Sequence, residues 1–316
     1  MFNNKQIQVI VPAYNEERLI GKFIETMPDF VDKIIIINDC SKDRTKEIVQ
    51  DFMNRDGRIF LLTHEVNKGL GESLIDGYLK ALELGADVVA VMAGDAQMDP
   101  KDLIKVIEPV VEEKADYVKG NRLLHDNVSN IMPKYRFLGN SFLTLWTKFA
   151  TGYWHLIDPQ CGYTAIARNA LKEIPIKEMV GGYGYNADIL NMLNLYNFRV
   201  KDVEVRPVYG EEKSKIKLSS YIPRVSWLLN KLFWRRMWRK YLVREFHPLV
   251  FFYFLSFFNI FLIAPLCIIR IIWVYYTFDL TSQTTLIIFV FTLTMSVFSF
   301  FFGMWLDMED NKRLKV

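Results

Sequence analysis

The chain is expected to fold as an α/β domain on a mostly parallel sheet, followed by interfacial helices and two C-terminal transmembrane helices. Three observations carry this expectation. Residues 1–215 alternate short β-rich runs with helical patterns. Residues 227–244 interleave aromatic and basic side chains in a helical pattern. Two later stretches, 248–278 and 286–306, are apolar and long enough to cross a bilayer. The expected division is a folded domain at 1–215, amphipathic juxtamembrane helices at 216–246, and a two-helix transmembrane hairpin with its tail at 247–316.

In the first part, β-rich runs lie at 7–11, 33–37, 58–62 and 87–92, separated by helical patterns that start near Glu16, Asp43 and Leu70. Strands spaced in this way form a parallel sheet covered on both faces, and the continuous apolar runs 34–37 and 88–92 suit strands buried on both sides. The pattern is less regular afterwards, with runs at 116–118, 163–166 and 201–205 and helical patterns around 139–149 and 184–195. Open sheets of this class take ligands at the carboxyl ends of their strands. Residues 93–100, Ala-Gly-Asp-Ala-Gln-Met-Asp-Pro, occupy such an end. Asp95 and Gln97 there offer hard oxygen ligands for Mg²⁺ or Mn²⁺, which would in turn hold a diphosphate. A plain turn with an Asp cap and a first-turn proline is the alternative. Val11-Pro-Ala-Tyr-Asn-Glu16, Asn38-Asp-Cys-Ser-Lys-Asp-Arg-Thr45 and Asn67-Lys-Gly-Leu-Gly71 mark three more strand exits. A crevice holding Asp39, Lys68, Asp95 and helix N-termini suits a nucleotide diphosphate, with ordinary capping and turn chemistry as the alternative.

The only charge within either apolar stretch is Arg270, placed so that it can snorkel to the interface; a hairpin buried in a soluble core is the alternative. Lys231, Arg235, Arg236, Arg239, Lys240 and Arg244 precede the first stretch, Lys312, Arg313 and Lys315 follow the second, and 279–285 holds no Lys or Arg. The positive-inside rule then places the large domain and the tail on the cytoplasmic face of the plasma membrane or an ER-equivalent. Trp227, Trp234, Trp238 and Tyr241 fall on one helical face, expected to lie in the headgroup layer with Lys and Arg near lipid phosphates; an amphipathic helix packed on the large domain is the alternative. The net charge of +3 is concentrated near the membrane, which points to anionic lipid and not to nucleic acid. No cleavable signal peptide is visible at residues 1–5. Cys40, Cys161 and Cys267 make no disulfide framework, and His64, His125, His155 and His247 show no metal-ligand spacing or Ser-His-Asp arrangement. Hairpins from neighbouring copies could pack as a homo-oligomer, although the sequence does not demand it.

In their order along the chain, these motifs resemble those of the family-two glycosyltransferases of GT-A fold, and within them the polyprenyl-phosphate sugar synthases typified by dolichyl-phosphate mannose synthase. The resemblance covers about residues 7–220. It implies that Pro12, Tyr14 and Glu16 lie near the base and ribose of a UDP- or GDP-sugar, that Asp39 contacts the base, and that Lys68 and Gly69 belong to the donor site. The metal loop of the family, Asp-x-Asp followed by Gln, is matched with Ala93 at its first acidic position, leaving Asp95 and Gln97. Arg122 and Arg136 would bind an acceptor phosphate, and Asp158 and Gln160 would line the sugar pocket. Asp188 aligns with an acidic residue near the acceptor nucleophile, while Ser214 and Lys215 would close over the diphosphate. The implied activity is inverting, metal-assisted transfer of a sugar to a dolichyl or undecaprenyl phosphate. A second acceptor class is a hydroxyl of a lipid-linked saccharide or diacylglycerol, for which Asp188 would be a general base. A non-catalytic nucleotide-binding membrane protein is a third reading.

Overall fold

In the computed structural model, residues 1–123, 134–182, 184–206, 218–280 and 282–316 are described, with side chains from Leu143 and Ile222 onward in the helices Lys134–Thr151 and Leu218–Arg236. Seven strands form one sheet: β1 Ile7–Ala13, β2 Lys33–Asn38, β3 Ile59–Thr63, β4 Val88–Val91, β5 Tyr117–Asn121, β6 Thr164–Ala167 and β7 Val200–Glu204. Their order is β3-β2-β1-β4-β6-β5-β7. The first four are parallel, β6 runs antiparallel to both β4 and β5, and β5 pairs parallel with β7.

Alternation along the strands divides the core into two layers. Ile7, Val9 and Val11 of β1, with Ile34 and Ile36 of β2, pack beneath α1 (Ile20–Glu25), α2 (Thr45–Met53) and α4 (Leu103–Val111). Ile10, Ile35 and Ile37 face the opposite layer, with Leu74, Ile75 and Tyr78 of α3 (Leu70–Glu83) and Leu190 and Leu193 of the helix Tyr185–Leu195. All four isoleucines of β2 are fully buried, as the uninterrupted apolar run requires. The first helix begins at Ile20, later than its sequence pattern suggests. The backbone N–H groups of Glu16 and Glu17 are taken by Thr45 and Asp43 side chains of the next strand exit, so residues 16–19 form a turn.

Packing divides the chain into two units, Met1–Phe233 with Arg313–Val316, and Trp234–Lys312. In the first, residues 313–316 return to the sheet domain: Leu314 is buried in the α3-side layer and Lys315 bridges Val200 in a parallel arrangement.

Two candidate membrane spans, Leu249–Phe278 and Gln283–Leu314, of 30 and 32 residues, lie in the second unit except for the last two residues of the latter. At 1.5 Å per residue each exceeds the ~30 Å hydrocarbon thickness. Ser256, Thr292, Ser296 and Ser299 are buried, and the Ser296 hydroxyl donates to Ser256 O at 2.8 Å. Small polar residues of this kind let spanning helices approach closely. Phe254, Phe261, Phe291 and Phe298 are exposed, and little of either helix is buried, which excludes the buried-hairpin reading. The chain is a membrane protein.

The structure corrects the aromatic-face expectation. Trp227, Trp234 and Trp238 are exposed, but Tyr241 is buried. From Met237 to Arg244 the backbone is a π-helix, whose wider turn rotates Tyr241 off the face that 3.6-residue spacing assigns to it. Nor do all the basic residues face lipid phosphates. Buried Arg236 pairs bidentately with buried Asp307 at 2.5 and 2.7 Å, and Lys240 Nζ lies 3.1 Å from Asn311 Oδ1 and 3.2 Å from Asp310 Oδ2. The Tyr241 hydroxyl is 2.9 Å from Asp307 Oδ1 and accepts from Asn311. Breaking a buried pair leaves an uncompensated charge, whereas replacing both partners with apolar residues does not. Asp307→Ala should therefore cost about 3–5 kcal/mol. The double variant Arg236→Met/Asp307→Leu should recover most of that, as measured by thermal unfolding in detergent.

Candidate active site

The strand order reverses beside β1, whose neighbours are β2 and β4. The hydrogen-bond pattern extends past the strand ends: Asp39 N donates to Ala13 O at 3.0 Å and Gly94 N to Pro12 O at 3.4 Å. Three strand exits are thus fastened side by side. Two interstrand spacings put the exits of β2 and β4 ~10 Å apart. Each exit holds a non-glycine residue in the left-handed region, Asn15 at φ 57°, Cys40 at 59° and Ala96 at 55°. Such conformations are unfavourable for Cys and Ala, less so for Asn, and are held by surrounding bonds. For Asn15 those bonds are visible, since its N donates to Ser41 Oγ at 3.0 Å and its Oδ1 accepts from Lys42 N at 2.9 Å.

Asp39 is the centre of the β2 exit. Its Oδ1 accepts from Lys68 N at 2.8 Å and lies 2.7 Å from His64 Nδ1, and its Oδ2 accepts from Gly69 N at 2.8 Å. Burial pushes the carboxyl pKa up, but the bonds from His64, Lys68 and Gly69 outweigh it and hold it below the ordinary value. Gly69 has φ +91°, which an L side chain rarely adopts, so glycine permits both N–H groups to point at one carboxylate. Two residues later, a Cβ on Gly71 would meet Val180 O at 2.3 Å, so α3 begins against the segment 180–181. Glu72 N donates to Gly181 O at 3.2 Å, and Val180 N donates to Asp188 Oδ2 at 2.8 Å. A continuous chain of contacts therefore runs from Asp39 to Asp188, which is fully buried.

At the β4 exit, Asp95 is half-buried and Gln97 exposed, and Gln97 N donates to Asp95 Oδ1 at 3.0 Å. Asp99 caps the following turn by accepting from Lys101 N at 2.9 Å, and its carbonyl accepts from the Tyr163 hydroxyl at 3.2 Å. No group of three or more His, Cys, Asp or Glu suited to a metal ion occurs among the described residues. Asp95 and Gln97 fit a cation that arrives with a diphosphate, because Mg²⁺ is commonly held by one or two carboxylates plus substrate phosphates. They do not make a dedicated protein cage.

The second half holds the acceptor-side candidates. Arg122 and Asp158, assigned separate roles by the sequence, form one bidentate pair, Nε to Oδ2 at 2.8 Å and Nη2 to Oδ1 at 3.1 Å. Gln160 is half-buried, and its carbonyl accepts from Asn186 Nδ2 at 3.3 Å. Pro12 and Glu16 are half-buried at the first exit, Tyr14 is exposed, and Lys68 Nζ lies 3.2 Å from Asp76 Oδ2. The side chain of Arg136, together with Ser214 and Lys215, lies outside the described residues.

Sequence reasoning missed His64, Asp76, Lys119 and Asp202. His64 sits between Asp39 and Asp76, with Nε2 2.9 Å from Asp76 Oδ2. Lys119 is fully buried and donates to Cys161 O at 2.6 Å and Asn186 Oδ1 at 2.9 Å, joining the 158–162 segment to the helix Tyr185–Leu195. A lysine in the middle of a short strand with buried flanks was the available signal. Burial lowers its pKa to about 8 and raises that of nearby Asp202 to about 6.

The sheet order gives an α/β domain with an acidic, glycine-bearing rim at the ends of β1 to β4, beside its topological switch point, where open sheets of this class take ligands. Residues 8–175, more than half the chain, match the profile of Glycosyl transferase family 2, and the chain belongs to that family: it is a glycosyltransferase. It is 31% identical over 221 residues to the UDP-N-acetylglucosamine--dolichyl-phosphate N-acetylglucosaminyltransferase of Methanococcus voltae, covering 66% of this chain and 88% of that protein. It is also 27% identical over 211 residues to the undecaprenyl-phosphate mannosyltransferase of Micrococcus luteus, covering 65% and 85%. Glucosyl-3-phosphoglycerate synthase from Mycobacterium tuberculosis, solved with Mn²⁺, UDP and glucosyl-3-phosphoglycerate, shares the fold. Its TM-score is 0.55 at 18% identity, over 72% of this chain and 80% of that one.

The depressed Lys119 pKa has a consequence for stability. Between about 8 and the ordinary 10.5 the folded state binds fewer protons at this site than the unfolded chain, so stability rises with pH across that window. The contribution is at most about 3 kcal/mol. Thermal unfolding across this window should show the rise in the native protein and its loss in Lys119→Met.

Proposed function

We propose that the protein moves a sugar from a UDP- or GDP-sugar to a polyprenyl phosphate, with its catalytic domain on the cytoplasmic face. The observation that carries this reading is the Asp39–Asp95 rim about β1 on a chain that also carries a membrane hairpin. The named relatives act on nucleotide sugars or polyprenyl phosphates, which supports it. Three of the roughly four lone-pair sites on the Asp39 carboxylate are occupied, leaving Oδ2 able to accept one N–H. Uracil and guanine present such a ring N–H, whereas cytosine and adenine present an acceptor nitrogen, which favours UDP or GDP.

In the proposed reaction a phosphate oxygen of the lipid attacks the anomeric carbon opposite the leaving diphosphate. The new C–O bond forms as the bond to the diphosphate breaks, the nucleoside diphosphate departs with the electron pair, and the anomeric configuration inverts. Pro12, Tyr14, Glu16 and Asp39 would bind the base and ribose; Lys68, Gly69, Ser214 and Lys215 would bind the diphosphate. Mg²⁺ or Mn²⁺ held by Asp95 and Gln97 would supply neutralisation of the charge developing on the diphosphate. Arg122 and Arg136 would receive the acceptor phosphate. Pairing with Asp158 fixes the Arg122 guanidinium plane, so the phosphate meets a preorganised fork. Asp158 and Gln160 would shape the sugar pocket. Asp188 is buried and holds Val180 N, which suits positioning; an anionic phosphate acceptor needs no general base.

The test supplies purified protein with a polyprenyl phosphate, a panel of UDP- and GDP-sugars and Mg²⁺ or Mn²⁺, and identifies products by mass. A lipid-linked sugar should form with at least one donor, and Asp95→Ala should lower turnover by about a hundredfold or more. Asp188→Asn should turn over close to the native rate; a loss of about a hundredfold would point to a hydroxyl acceptor instead. Absence of lipid product with every donor would overturn the proposal.

A further inference from the structure

Resting on the donor-site reading above, we infer that His64 is a positioning residue that sets the carboxylate of Asp39 for nucleotide binding. His64 follows β3 directly and is buried, and its N donates to Asn38 O at 3.0 Å, so the backbone on which the ring stands is fixed to the end of β2. Its Nδ1 lies 2.7 Å from Asp39 Oδ1 and its Nε2 2.9 Å from Asp76 Oδ2. Each ring nitrogen thus lies within hydrogen-bond distance of a carboxylate oxygen, one at the β2 exit and one on α3. A ring tethered at both edges cannot rotate without losing a charge-assisted bond. Asp39 is therefore held from two directions, by His64 from β3 and by the N–H groups of Lys68 and Gly69 from the turn before α3.

The second tether reaches another part of the same crevice. Asp76 Oδ2 also lies 3.2 Å from Lys68 Nζ, a pair that is partly exposed. A partly exposed pair of this kind contributes little, so the Lys68 ammonium can exchange Asp76 for an anionic ligand. Asp76 keeps its bond to His64 in either case. His64 thus separates the two functions of the crevice: it keeps Asp39 oriented toward the base while Lys68 is released to the phosphates.

Asparagine and glutamine test this residue because their amide nitrogens replace different ring atoms. An asparagine amide occupies approximately the place of Nδ1 and can donate to Asp39; a glutamine amide reaches the place of Nε2 and can donate only to Asp76. Binding of UDP and of GDP with Mg²⁺ would be measured calorimetrically for the native protein, Asp39→Asn, His64→Asn, His64→Gln and His64→Ala, with thermal unfolding run in parallel. His64→Gln and His64→Ala should weaken binding of the preferred nucleotide about tenfold, and His64→Asn by no more than about threefold. The KM for the lipid acceptor should stay unchanged in all three. If Asp39→Asn binds nucleotide as well as the native protein, the donor-site reading itself fails. If Asp39→Asn weakens binding but His64→Asn and His64→Gln bind alike, the assignment of His64 is overturned. Should His64→Ala fail to fold, the asparagine–glutamine contrast decides alone.

Discussion

The rim of strand exits depends on the reversal of strand order at β1. Because β2 and β4 flank that strand in parallel, the chain leaves three adjacent strands at the same edge of the sheet. The hydrogen bonds from Asp39 N to Ala13 O and from Gly94 N to Pro12 O carry the alignment beyond the strands into the loops. Side chains far apart in sequence thereby acquire fixed spacings. The left-handed residues Cys40 and Ala96 show that these loops are held against their local preference.

From this edge the organisation spreads through backbone contacts more than through free side chains. Asp39 gathers the turn that begins α3, Gly71 allows α3 to abut the 180–181 segment, and Asp188 anchors that segment from the helix behind it. The strand-exit loops and the helix Tyr185–Leu195 are consequently parts of one packed assembly. Lys119 and the Arg122–Asp158 pair serve the remaining wall similarly, fixing the 158–162 segment against β5.

Most strands and the helix pattern were legible because they are local. Val, Ile and Ala runs bounded by turn residues at 33–37 and 87–92 can be read without knowing their partners, and β2 and β4 fall within a residue or two of them. The strand-exit motifs were legible for the same reason. Long-range pairing was not. His64 and Asp39 are 25 residues apart, Arg122 and Asp158 are 36 apart, and Arg236 and Asp307 are 71 apart. No periodicity links them, and the sequence left His64 without a role and gave Arg122 and Asp158 different ones. Tyr241 was misplaced because its helix changes hydrogen-bond pattern at Met237, which residue spacing does not announce.

In the proposed site, Ala93 would leave Asp95 and Gln97 as the protein ligands, so the β4 exit would hold a cation only in company with a nucleoside diphosphate. Electron paramagnetic resonance of Mn²⁺ in the presence of the protein, with and without UDP or GDP, tests it most directly. Mn²⁺ should be immobilised only when nucleotide is added, and Asp95→Ala should abolish this. Nucleotide binding of equal strength with and without a chelator, together with Mn²⁺ behaviour unchanged by Asp95→Ala, would contradict it.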